Sequence, residues 1–174
     1  MEITCTTVYD QKAVTAMARG LRKTIRKKRS RRTRVFGCFV MILALLLPLL
    51  TLEEGQSLIS LRTAVNWLVA LGMLVVLIWE DWINGWFARK RMLPGMENAT
   101  TLFTREGYTT VTEVGTTQWK YDNILLVAES RNYFVFAFSK SHAQVYDKNG
   151  LSGVSAGEFG AFLTEITGKA IEKI

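Results

Sequence analysis

Two stretches of the chain carry no charged side chain: Val35 to Leu52, between Arg34 and Glu53, and Thr63 to Trp79, between Arg62 and Glu80. At the rise of an α-helix these runs are about 27 Å and about 25 Å long, close to the hydrocarbon thickness of a bilayer. The pattern predicts two helices, at about 35–52 and 63–86, joined by a short loop as a transmembrane hairpin. Burying two such runs in a soluble core would need a larger domain than this chain can build. A cleaved signal peptide is not expected either, because 34 residues precede the first run and no small-residue cleavage pattern follows it.

The hydropathy pattern changes on both sides of the hairpin. Upstream, Glu2 to Val8 is rich in Thr and Val and suits a strand. Asp10 then stands as a helix cap before Val14, Met17, Leu21 and Ile25, which recur at spacings of three and four. Downstream of Pro94 and Gly95, short Thr-rich and aromatic runs alternate with turn residues, the mark of an antiparallel meander. Strands are predicted at Thr100 to Thr104, Tyr108 to Val114, Thr116 to Tyr121, Ile124 to Ser130, Tyr133 to Ser139 and Ala143 to Tyr146, followed by a turn at Asp147 to Gly150. Ser155 and Glu158 form a capping box for a closing helix whose apolar face is Phe159, Phe162, Leu163 and Ile166. Phe134, Phe136, Phe138 and Trp119 are the expected core of this part. The fold class is thus membrane α+β, in three segments: residues 1–34, a strand and a basic amphipathic helix; 35–91, the hairpin; and 96–174, the meander with its closing helix.

Charge adds an orientation. Of the 22 Lys and Arg residues, eleven lie in residues 1–34 against only Glu2 and Asp10, and the rest of the chain is slightly acidic. Arg22, Lys23, Arg26, Lys27, Lys28, Arg29, Arg31, Arg32 and Arg34 precede the first hydrophobic run, Arg89, Lys90 and Arg91 follow the second, and the connecting loop offers only Arg62. The positive-inside rule therefore places both ends in the cytoplasm. A net charge of +7 would otherwise raise nucleic acid as a partner, but the excess sits at the foot of a hydrophobic run, where it acts as a topology signal. The same cluster also suits anionic headgroups, at about 1 kcal/mol per cation near the surface. Both readings stay open at this point. Trp79, Trp82 and Trp86, spaced three and four apart, suit the interfacial belt where the second helix leaves the hydrocarbon and continues toward Arg89.

Catalytic chemistry finds little support. The single histidine, His142, sits beside a predicted hairpin turn as an exposed polar residue, and the two cysteines, Cys5 and Cys38, form neither a disulfide framework nor a zinc spacing. Glu80 and Asp81 are adjacent, so on a helix they diverge by about 100° and read as interfacial charges. No P-loop or dinucleotide fingerprint occurs. Both hydrophobic runs lack the ionisable residue that a transporter carries at membrane depth. No catalytic residue, cofactor or metal is expected.

The order of segments resembles the YcxB-like family of bacterial membrane proteins. The likeness is carried by Phe103-Thr104-Arg105-Glu106-Gly107, Trp119-Lys120-Tyr121-Asp122-Asn123-Ile124, Tyr133-Phe134-Val135-Phe136 and Phe159. It departs at Lys148 to Ser155, a Gly- and Ser-rich link without a basic-aromatic step. The resemblance implies a pleckstrin-homology-like (PH-like) C-terminal domain and a multi-pass place in the bacterial cytoplasmic membrane, and carries no activity. The expected function is a non-enzymatic, membrane-anchored interaction module, with a protein partner or self-association and the lipid bilayer as its contacts and no nucleic acid. The alternatives are anionic-lipid sensing through the basic segment and an accessory role in a transporter or immunity system.

Overall fold

The computed structural model describes residues 2–50 and 61–174. Thr51 and Leu52, and the connecting loop up to Ser60, lie outside the described residues. Residues up to Lys27 form one compact unit with Asp81–Ile174, and Lys28–Glu80 forms another.

In the larger unit, β1 (Ile3–Val8) is followed by α1 (Gln11–Lys23). The meander supplies β2 (Asn98–Phe103), β3 (Tyr108–Val111), β4 (Thr116–Trp119), β5 (Leu126–Glu129), β6 (Tyr133–Ala137) and β7 (Ala143–Asp147). Then come β8 (Leu151–Ser152), α4 (Ala156–Thr167) and β9 (Ile171–Lys173). The strands form two sheets, ordered β4-β3-β2-β1-β8 and β7-β6-β5-β9. The N-terminal strand pairs antiparallel with β2 over its whole length, from Ile3 opposite Phe103 to Val8 opposite Asn98. The long helices are therefore an insertion between two neighbouring strands.

The alternation of side chains along β6 explains how the layers stack. Phe134 and Phe136 point into the core between the sheets, whereas Val135 points to the opposite face, where it packs with Ala13 of α1. On the inner side, the Phe103 ring meets those of Tyr108, Tyr146, Phe136 and Phe159 at centroid distances from 4.9 to 6.1 Å. Phe159, Phe162 and Leu163 of α4 close this core, and the expected capping box is formed: Ser155 Oγ accepts from Glu158 N and Glu158 Oε2 accepts from Ser155 N at 2.7 Å. That bonding holds the Glu158 carboxyl below its usual pKa. On the outer side, α1 starts at Asp10, whose Oδ1 accepts from Ala13 N at 2.7 Å, and buries Ala13, Val14 and Leu21. The apolar face expected for this helix is thus covered by protein. Gly20 permits the close fit, since a Cβ there would lie 2.9 Å from Val135 Cγ1.

The predicted strands are present; most end sooner than expected, while β2 starts two residues earlier, at Asn98, and β7 runs on to Asp147. Thr112 N donates to Gly115 O and turns the chain after Val111, and a turn of 3-10 helix at Tyr121–Asn123 ends the run that starts at Thr116. The short β8 and the parallel pairing of β9 with β5 were not expected. Two or three residues carry no readable period, and a parallel partner is chosen by tertiary packing.

In the smaller unit, α2 (Lys27–Leu50) begins inside the basic segment rather than at Val35. With α3 (Leu61–Lys90), it is long and apolar enough to cross a membrane, yet only 17% and 11% of their most hydrophobic windows are buried. A core helix of a soluble domain would be mostly buried. The two helices approach at Gly37, where a Cβ would lie 3.1 Å from Leu77 Cδ2 and 3.2 Å from Met73 Cε.

A Cβ at Gly150 would stand 1.8 Å from Thr6 O, so Gly150→Ala must push β1 away from the turn that follows β7. We expect a loss of about 1–3 kcal/mol in thermal unfolding of the full chain. Gly115→Ala, where nothing lies within 4 Å, is the control and should leave the unfolding temperature unchanged.

Candidate functional site

The basic segment is partly consumed by ion pairs that no local spacing announces. Glu80 and Asp81 are the only two acids between Glu54 and Glu97. Each meets a different arginine within its own unit. Arg22 grips Asp81 with two bonds, Nε to Oδ1 at 2.5 Å and a terminal nitrogen to Oδ2 at 2.7 Å, while Arg19 Nε adds a third at 3.3 Å. With 16% and 12% side-chain exposure, Arg22 and Asp81 form a nearly dry fork, the geometry in which Arg outperforms Lys. In the smaller unit, Arg34 Nε donates to Glu80 Oε2 at 2.9 Å and Ser30 Oγ donates to Oε1 at 3.2 Å.

The remaining cations of the cluster separate into two groups. Arg26 donates through Nε to the Lys140 carbonyl, at the turn between β6 and β7. Lys23, Lys27, Lys28, Arg29, Arg31 and Arg32 are exposed. Lys28, Arg31 and Arg32 share an open cleft on α2 with Val35, Phe36 and Phe39, so charge stands directly above an exposed apolar step.

The tryptophans lie where α3 changes course. Trp79 has φ −98° and ψ 19°, a kink in the helix one residue before Glu80. Trp79, Trp82 and Trp86 are all exposed. Beyond the kink, α3 is held to α1: Gln11 Nε2 donates to Trp82 O at 3.0 Å, and a Cβ on Gly85 would lie 2.9 Å from Thr15 N. Lys90 Nζ stands 5.2 Å from the Trp86 ring.

A cavity of about 280 Å³ lies in the larger unit. Its walls come from α1, the end of α3 and the turn after it, the β3–β4 hairpin and the β6–β7 hairpin. Met17, Met92 and Met96 face it together with Tyr9, Trp119 and Phe138. Trp119 stacks on Phe138 at 4.9 Å, and its Nε1 is buried without an acceptor among the described residues. Gln144, also in the wall, accepts through Oε1 from Tyr146 at 2.7 Å and from Tyr108 at 3.0 Å. His142 is exposed, as expected, and stands at the rim. The sequence reading assigned Trp119 and Phe138 to the core; they are half-buried and form its boundary with this cavity.

Nearby ionisable groups are held neutral. Burial raises the Cys5 thiol to about 11 and the Tyr9 phenol to about 12. Burial also raises Tyr108, Tyr121 and Tyr146. A thiol shifted in this direction is a poor nucleophile at neutral pH. Among the described residues, no group of three or more His, Cys, Asp or Glu side chains is placed to hold a metal ion.

No family model matches the chain, and no curated protein matches it.

Asp81→Ala should lower stability by about 1–3 kcal/mol, because it leaves Arg22 desolvated. Arg22→Lys should recover little, since an ammonium cannot form the fork. Thermal unfolding of both variants and the parent measures the difference. A pH series tests the buried Cys5 and Tyr9. Their folded pKa values lie above the ordinary 9.0 and 10.0, so their contribution is complete below pH 9 and is lost as pH rises through about 11 and about 12. The unfolding temperature should fall between pH 9 and 11, and Cys5→Ala should flatten that slope.

Proposed function

We propose that this chain is a non-enzymatic, membrane-anchored interaction module of the YcxB-like kind, multi-pass in the bacterial cytoplasmic membrane with both ends in the cytoplasm. The observation that carries the reading is the insertion of two long, exposed, apolar helices between β1 and β2. An anchor placed there ties the sheet to the membrane through two adjacent strands, so the module is held by both sides of a hydrogen-bonded ladder. The PH-like description draws support from the two meanders, β1 to β4 and β5 to β7, followed by α4 over the shared core.

The recruiting surface in this reading is the edge of the first sheet. Among the described residues β4 ends its sheet, pairs only with β3, and exposes Thr116, Thr117 and Gln118. A free edge offers unpaired backbone donors and acceptors to an added strand.

A second reading, anionic-lipid sensing, draws on the six exposed cations and the cleft where Lys28, Arg31 and Arg32 stand above Phe36 and Phe39. With the apolar face of α1 packed on the sheet, this reading rests on charge and on the start of α2.

A photocrosslinking residue at Thr116 or Gln118 of the full-length chain in cells should yield one discrete adduct that is missing when the same residue replaces Glu165 on α4. Identical adduct patterns at all three positions, or none at β4, would remove the edge-recruitment reading.

A further inference from the structure

A groove between α1 and the β5–β6 turn has no part in edge recruitment, and none of its walls belongs to the basic start of α2. We propose that it binds the headgroup of an anionic phospholipid, with Lys12, Arg19 and Arg131 around the phosphate and Trp82 toward the acyl chains.

Three observations carry the assignment. The first is shape. The groove holds about 600 Å³, inside the range of about 300 to about 1,000 Å³ common for small-ligand sites. Lys12, Thr15 and Arg19 recur at spacings of three and four, so a single face of α1 makes one wall. The turn from Ser130 to Tyr133 makes the other, and it is fixed in place: Tyr133 N donates to Ser130 Oγ at 3.2 Å, and Lys148 N donates to Asn132 O at 2.9 Å. The second is charge. Among the described residues the walls carry three cations and no Asp or Glu. The acids around the groove already have donors of their own. Asp10 accepts from Ala13 N, Asp147 accepts from Asn149 N, Glu129 meets Lys148 Nζ at 2.5 Å, and Asp81 lies in the Arg22 fork. Arg19 shares Asp81 at 3.3 Å, but exposed Lys12 and Arg131 have no acidic partner among the described residues. That uncompensated pair is the demand a phosphate would meet. The third is the neutral lining. Burial, with the Asp10 and Asp147 carboxylates, raises the Tyr133 phenol above its ordinary pKa, so its hydroxyl stays a donor. Trp82 is exposed and stands three residues past Trp79, where the uncharged run ends. An indole with an apolar body and a polar tip suits the headgroup level, which favours a lipid over a free phosphate ester.

The proposal rests on the membrane reading, which brings headgroups to the level of Trp82, and two measurements on the full-length chain keep the two apart. Protein in a neutral maltoside detergent is titrated with dioctanoyl phosphatidylglycerol, and backbone hydrogen exchange is followed by mass spectrometry. Binding should slow exchange at 130–133, whereas dioctanoyl phosphatidylcholine, whose headgroup has no net charge, should leave it unchanged. Lys12→Gln together with Arg131→Gln should raise the lipid concentration for half-protection at least about tenfold, the equivalent of about 1.4 kcal/mol. Both side chains are exposed, so the unfolding temperature should hold, and Lys12→Arg with Arg131→Lys should keep most of the binding. Lys28→Gln, Arg31→Gln and Arg32→Gln combined should leave protection of 130–133 as it is, which separates this groove from the start of α2. No protection, equal protection by phosphatidylcholine, or indifference to the Lys12→Gln and Arg131→Gln pair would each overturn the proposal. Equal protection by glycerophosphoglycerol, the headgroup without chains, would overturn the lipid assignment in favour of a soluble phosphodiester. The anchor is read separately, by alkaline carbonate extraction of cell membranes: release of the chain from the pellet counts against the anchor, whatever the groove binds.

Discussion

The pairing of β1 with β2 is the constraint on which the rest of the chain depends. Its partners are separated by α1, α2 and α3, so the ladder closes a long loop before any of its rungs can form. Loop-closure entropy grows only with the logarithm of length, so the cost is modest beside what closure gains. Once β1 is in place, Ile3 and Cys5 enter the aromatic core, Thr7 Oγ1 accepts from Asp147 N at 3.1 Å, and the two sheets are joined at that corner. The same closure brings α1 onto the outer face of β6 and β7 and fixes the points at which the inserted helices leave and return.

The arginine fork on Asp81 is a second long-range tie, joining α1, which follows β1, to the end of α3, which precedes β2. Arg22 lies in the last turn of α1, and Asp81 lies in the part of α3 that belongs to the larger unit. The basic cluster thus has divided duties: Arg22 fastens helices, Arg26 reaches the β6–β7 turn, and the other lysines and arginines stay exposed, apart from Arg34 on Glu80. A positive flank before a hydrophobic run invites a single explanation by charge count, and here geometry distributes it among several.

Much of this fold was legible from pattern. An aromatic run between turn residues marked β6, the capping box marked the start of α4, and Asp10 marked the start of α1, because each signal lies within a few residues and reports local physics. The apolar face of α1 was equally visible, but its destination was not. A stripe of Val14, Met17 and Leu21 fits a bilayer surface and a sheet equally well, and only the position of β6 decides. For the candidate site, Trp79, Trp82 and Trp86 and the cations stood out by type and spacing. The Asp81 fork and the methionine-lined cavity did not, since their members come together only through contacts between distant segments. The two acids between Glu54 and Glu97 were the available hint, an isolated negative pair opposite a positive segment.

The parallel pairing of β9 with β5, and the antiparallel pairing of β1 with a strand on the far side of the helices, have a consequence for the order of synthesis. A ribosome delivers β1 before both hydrophobic helices and β2 only after them, so β1 waits without β2 while the helices emerge. The second sheet then gains its last strand only when Ile171 to Lys173 emerge. The first sheet thus joins β1 to β2 only after the helices between them have been made, and the second gains its edge strand β9 later still; pairings so far apart in sequence make a topology that folds slowly for its size.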